Sequence, residues 1–262
     1  MSESVINISN KQLLLTYIFV IIAMVLTSLN GLNRNKDIII ATLKMTAQLF
    51  IAGSVLIYIF DSSSFVFAGL MILIMEFFAI FNIVSSKKNE LSKGMIFVIA
   101  ISLFVGSIST LIFFLLIVIR PNPIYNPQYL IPLGEMIIGN SMTGVNLALN
   151  HILKALESKR VNIEGSLMLG ASPRMAMDSI INYAFDTAMT PTLNSIKNMG
   201  IISLPGMMTG QILGGVSPLI AIRYQIAIMT AVMSSNAICI FIFLHLGYKK
   251  FFNDQDQLIK LS

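Results

Sequence analysis

The chain has 262 residues, of which 56% are hydrophobic and only 11% charged, and its net charge is +5. An ordinary soluble domain carries about 25% charged residues, so there is too little polar surface here to cover a globular core, and too much apolar surface for a disordered chain. A single cysteine excludes a disulfide framework and a four-cysteine zinc site. What remains is a protein that crosses a membrane several times.

A spanning helix needs about 20 mostly apolar residues. Taken in chain order, seven segments qualify: 12–33, 38–60, 64–84, 94–119, 129–150, a shorter glycine-rich stretch at 197–215, and 219–248. The first lacks a basic leader and a small-residue cleavage site, and reads as a permanent helix rather than a signal peptide. The expected fold is therefore all-α, an integral membrane protein of about seven transmembrane helices. Basic residues gather in alternate connections: Arg34 and Lys36; Lys87, Lys88 and Lys93; Lys154, Lys159, Arg160, Arg174 and Lys197; and Lys249, Lys250 and Lys260. These 13 of the 17 Lys and Arg residues place the N-terminus outside and the C-terminus in the cytoplasm of a plasma-membrane protein. The topology explains the basic excess, and no nucleic-acid partner is implied.

Residues 151–196 form the one long connection. Their apolar positions are interspersed with charges, including Glu157, Glu164 and Asp178. Gly170-Ala171-Ser172-Pro173 reads as one helix end followed by a new start, with Ser172 as N-cap and Pro173 at the first helical position. An amphipathic cytoplasmic helix–turn–helix can lie on the membrane surface or present itself to another protein. The spacing Glu164, Gly170, Ile180 also loosely fits the cytoplasmic-loop pattern of bacterial ABC importer permeases.

Within the apolar segments, SLPGMMTGQILGG (203–215) breaks a helix at Pro205-Gly206 and spaces Gly206, Gly210 and Gly214 four apart. Proline removes a helical hydrogen bond, and small residues spaced this way allow close helix approach. The segment fits either a tight helix seam or a transport path that includes Met207, Met208 and Gln211. IPLGEMIIGNSM (131–142) adds Glu135 and Asn140 to the polar residues within spans.

These runs resemble the bacterial iron-export ABC permease subunits (FetB-type), a family that includes plant membrane proteins tied to aluminium tolerance. The resemblance extends over nearly the whole chain. It is carried by Gly139-Asn140-x-Met142, Gly170-Ala171-Ser172-Pro173, Pro191-Thr192 and SLPGMM-x-G. Two positions depart from the pattern: Lys44 stands where the family has Arg, and Glu135 where a small residue is usual. The resemblance implies one transmembrane permease domain over 1–262 that pairs with a separate cytosolic ABC ATPase, with iron as cargo and export as direction. Glu157, Glu164, Gly170, Pro173, Arg174 and Asp178 are the candidate coupling residues. The chain has no phosphate loop of its own, so ATP is expected at the partner, and no cofactor is expected on this chain. One such chain is small for a complete pathway, which implies a homodimer in the lipid bilayer.

Charges inside spans need partners, because a lone one at the bilayer centre costs about 2.5–3.5 kcal/mol on insertion scales. Lys44 and Glu76 lie at similar depths, roughly 9 and 12 Å from the cytoplasmic side at 1.5 Å per residue, and form one expected pair. Glu135 and Arg223 form a second, unless Arg223 snorkels outward alone. Glu76, Glu135, Asn140, Met207 and Met208 could instead line a weak, transient cation path. No compact metal-ligand set is visible. A secondary transporter that uses Glu76 and Glu135 as proton or cation carriers is the main alternative. An integral membrane enzyme finds no catalytic constellation to support it.

Overall fold

The computed structural model describes residues 8–62, 64–87 and 91–259. Lys88 and Lys260, two of the basic residues that set the expected orientation, lie outside them. Among the described residues the secondary structure is helical apart from two isolated bridges. Five helices are long and apolar enough to cross a membrane: Asn10–Leu29, Asn35–Phe60, Phe65–Ser86, Lys93–Ile119 and Pro218–Phe251.

The chain divides into two compact units. The smaller holds α1 (Asn10–Leu29) and α2 (Asn35–Ser62), together with residues 213–216. A capping box opens α1: Gln12 N–H donates to the Ser9 hydroxyl, and Ser9 N–H to the Gln12 side chain at 2.8 Å. Two polar contacts tie α1 to α2 and their connection, Tyr17 Oη to Thr46 Oγ1 at 2.6 Å and Asn35 Nδ2 to Ser28 Oγ at 2.8 Å. No residue of α1 is buried, so its apolar surface is available to lipid.

The larger unit is a bundle of α3 (Phe65–Ser86), α4 (Lys93–Phe113, continued by a π-helical turn to Ile119), α5 (Pro127–Ser158), α6 (Arg160–Met168), α7 (Pro173–Asn198), α8 (Gly206–Leu213) and α9 (Pro218–Gly247). The long α5 and α9 form its centre: α5 packs on α3, α4, α7 and α9, and α9 also on α4 and α7. The core is aliphatic, with Ile99, Leu103, Leu133, Ile137, Leu149, Ile152, Ile181 and Phe243 fully enclosed. Three glycines set the helix spacings. A Cβ at Gly106 of α4 would collide with Cys239 of α9, one at Gly144 of α5 with the Asn236 side chain of α9, and one at Gly134 of α5 with Ile72 of α3. Small residues at crossings let backbones approach closely, the source of most packing energy where no hydrophobic force separates helix from lipid.

Three expectations require correction. The span expected at 129–150 lies within α5, which is not among the five helices long and apolar enough to cross a membrane. The stretch 197–215 is not a spanning helix. It comprises the end of α7, an irregular turn over 199–205 and the eight-residue α8. Eight residues rise only about 12 Å. Gly200 takes a positive φ of 83°, and Pro205 cannot continue a helix through its own missing N–H. The segment 151–196 is not a separate surface element throughout either. Residues 151–158 complete α5, and α7 runs into the bundle, where Met177, Ile180, Ile181, Ala184, Ala188 and Met189 are buried. The helix–turn–helix itself forms as the sequence indicates. Gly170 adopts φ 91°, and Ser172 accepts a hydrogen bond from Met175 N–H at 3.4 Å just ahead of Pro173.

Candidate functional site

At mid-bundle, five helices contribute to one polar layer. Glu76 of α3 is 3% exposed and accepts a hydrogen bond from the Ser107 hydroxyl of α4. Ser141 of α5 and Ser235 of α9 share a hydrogen bond of 2.9 Å, and Ser235 also reaches the Gly106 carbonyl at 3.4 Å. Asn236 Nδ2 donates to Thr192 Oγ1 of α7 at 2.8 Å. Cys239, buried and free, donates to the Leu103 carbonyl at 3.8 Å. Two buried atoms in this layer lack a protein partner, Glu76 Oε2 and Asn236 Oδ1. Buried polar groups without partners are uncommon, so the layer retains spare hydrogen-bonding capacity at the depth where the bilayer supplies none.

Of this layer the sequence pointed only to Glu76. Ser107, Ser141, Thr192, Ser235 and Asn236 stand as polar letters in apolar or weakly amphipathic stretches. Nothing in a linear sequence says that residues 94 or 129 positions apart will meet. The available signal was the density of small and polar residues in SIST (107–110) and SSN (234–236) within otherwise apolar runs.

The partner that the structure gives Glu76 is Ser107, a residue of its own unit. Lys44, on α2 of the smaller unit, is exposed. Glu135 and Arg223 are both exposed, and neither joins an ion pair among the described residues.

The expected path residues do not converge. Asn140 Nδ2 donates back to the Met136 carbonyl of its own helix at 2.7 Å. Pro205 and Gly206 lead into α8, where Thr209 Oγ1 donates to the Pro205 carbonyl at 3.1 Å. Met208 is buried, Met207 and Gln211 are half-buried, and Gly210 is exposed. No atom lies within 4 Å of a Cβ built at Gly206 or Gly210, so these glycines do not form a helix seam within the chain. Among the described residues no group of three or more His, Cys, Asp or Glu could hold a metal ion.

The expected coupling residues share one corner, at the end of the bundle that carries Lys249 and Lys250. Arg160 Nε donates to Glu164 at 2.7 Å, and its Nη2 to the Leu258 carbonyl at 3.5 Å. Arg174 lies 3.8 Å from the Asp178 carboxylate, with its guanidinium 5.4 Å from the Tyr248 ring centroid. Both ion pairs are spaced i, i+4 and partly exposed, so they contribute little beyond orientation. Glu157 is exposed nearby. At the tip, Met168 is 87% and Leu169 90% exposed. Val161 and Met175 are exposed beside them, and a cleft of about 780 Å³ separates the corner from the tail at Gln255–Leu258. His151 packs against Tyr183 with ring centroids 4.6 Å apart and the ring planes tilted by 45°. Burial first, then Lys159 and Lys154, holds its imidazole below the ordinary value.

The comparisons agree with this architecture. Residues 10–252 match the model of an uncharacterised protein family, UPF0014. A Bacillus subtilis relative, the UPF0014 membrane protein YjkA, is 37% identical over 94% of this chain and 97% of its own length. An Escherichia coli relative named "Probable iron export permease protein FetB" is 32% identical over 97% of this chain and 96% of its own. The Arabidopsis thaliana protein ALUMINUM SENSITIVE 3 is 30% identical over 92% of this chain and 86% of its own. No solved structure matches. With nearly its whole length covered, the chain is a helical membrane protein that belongs to the UPF0014 family, alongside bacterial permease-like and plant aluminium-sensitivity proteins.

Proposed function

We propose that the chain is the membrane-spanning subunit of an ABC transporter that exports a metal cation, iron by analogy with the name of its Escherichia coli relative. The observation that carries this reading is the corner between α6 and α7. Two large apolar side chains, Met168 and Leu169, stand almost fully exposed at a glycine-closed turn flanked by Glu164, Arg174 and Asp178. Exposed apolar groups rimmed by charge mark a docking surface. A cytosolic ATPase seated there pushes along α7, which is continuous from the corner to the polar layer through the bond between Thr192 and Asn236. The corner lies at the Lys249 end, which the distribution of basic residues puts in the cytoplasm. A homodimer with two ATPases completes the assembly.

Reconstitution of the chain in vesicles with its partner ATPase tests the proposal. Iron(II) transport that requires both ATP and the partner is the expected result. Leu169→Asp is expected to abolish ATP-driven transport while leaving the bundle folded. One observation supports a second reading, a proton-coupled transporter: Glu76 is enclosed with one carboxyl oxygen unpartnered, as a proton carrier requires. Transport driven by a pH gradient alone, and abolished by Glu76→Gln, would select it over the first.

A further inference from the structure

The second half of α7 is buried on one face and polar on the other. Asp178, Asn182, Asp186, Thr190, Asn194 and Asn198 follow one another at intervals of four, all exposed, and Ser195 and Lys197 lie exposed beside the last of them. The bond from Thr192 to Asn236 fixes their depth. Asn236 stands three to four residues from the midpoint of α9, so Thr192 sits roughly 5 Å from the middle of that spanning helix at 1.5 Å per residue. Thr190, Asn194, Lys197 and Asn198 then all lie within about 9 Å of Thr192 along the axis, well inside a hydrocarbon core about 30 Å thick.

The chain directly after α7 is not helical. Residues 199–205 form a turn closed by Gly200 N–H to the Ser203 carbonyl at 2.9 Å and Ile202 N–H to the Asn198 carbonyl at 3.0 Å, and most of the turn is exposed. Irregular backbone at membrane depth persists only where it is buried in protein or lines water. Amides and an ammonium exposed at that depth face the same choice.

We propose that this face of α7, from Thr190 to Asn198, and the following turn line a water-filled passage that admits a hydrated polar solute. The assignment of the solute as transported cargo rests on the permease reading above; the hydration of the face does not. The passage therefore runs along α7. Asp186 stands about 9 Å before Thr192, at the end of the row nearer the coupling corner, and Asp178 and Asn182 continue it toward that corner.

Single cysteines at Thr190, Asn194 and Ser195, with Phe104→Cys on the apolar face of α4 as control, test the passage in native membrane vesicles of the full chain. The natural cysteine is buried and leaves a silent background. A charged, membrane-impermeant methanethiosulfonate reagent is expected to modify the three α7 positions about tenfold or more faster than Phe104→Cys, because hydrocarbon excludes charge. Labelling at all three no faster than at the control overturns the proposal. So does copper-catalysed disulfide formation between two copies at these positions without labelling, which would place the face in a dry contact. Fast labelling without any ATP-driven transport supports the wet face and removes the permease reading instead.

Discussion

The outward faces of α3 and α4 carry Leu70, Leu73, Phe77, Phe81, Phe97, Phe104 and Ile112. The outward face of α7, in the same bundle and reaching the same depth, carries Asp186, Thr190, Asn194 and Asn198. Both pack their inner sides on α5, so the inner packing is not what distinguishes them. The difference is in what each outer surface demands of its surroundings. A phenylalanine surface is content in lipid, whereas a row of amides there would cost free energy at every turn of the helix. Exposure in a single chain therefore describes two different environments.

Arginine at the two faces gives the largest expected contrast. Phe104→Arg is expected to destabilise the inserted protein by about 2.5–3.5 kcal/mol, read as loss of membrane-integrated protein, while Asn194→Arg is tolerated. Equal losses at both sites would erase the distinction. Gly144→Ala tests the packing beneath. Its Cβ would fall on the Asn236 side chain, and overpacking of this kind costs about 1–3 kcal/mol, measurable as a lowered Tm in detergent. A smaller effect is expected from Thr192→Val, which removes the bond that holds α7 at its level. Interhelical hydrogen bonds in membranes average about 0.6 kcal/mol, so transport should fall more than stability, since α7 stays folded but loses its register.

The smallest effect concerns His151, beyond the apolar part of α5. Its folded-state imidazole is held below the ordinary value, so the unfolded chain takes up its proton first as pH falls. Stability is then full above about 6.5, declines as pH drops through the interval down to the folded value, and levels off below it. His151→Phe keeps the ring against Tyr183 and should flatten that decline in a pH series of melting temperatures.

The spans that rest on hydropathy alone were legible in the sequence, as was the turn at Gly170–Pro173, where glycine, a capping serine and proline leave the backbone little choice. The segment 197–215 misled because its composition is apolar enough for a span while Gly200 and Pro205 divide it into pieces too short to cross. α7 misled in the opposite direction. Its polar residues read as cytoplasmic, and only the burial of Met177 and Ile181 and the bond between Thr192 and Asn236 reveal that it enters the bundle. The layer around Ser235 and Asn236 was legible only at Glu76, because it is assembled from five helices and exists only once they are packed.

The tail after α9 folds back on itself, with Asn253 N–H on the Gln257 carbonyl at 2.9 Å, and Leu258 offers its carbonyl to Arg160. Residues 253–259 are thus a strap buckled to the start of α6, beside the elbow where α6 meets α7. A substitution that loosens the turn between Asn253 and Gln257 would slacken that buckle without touching either helix of the elbow.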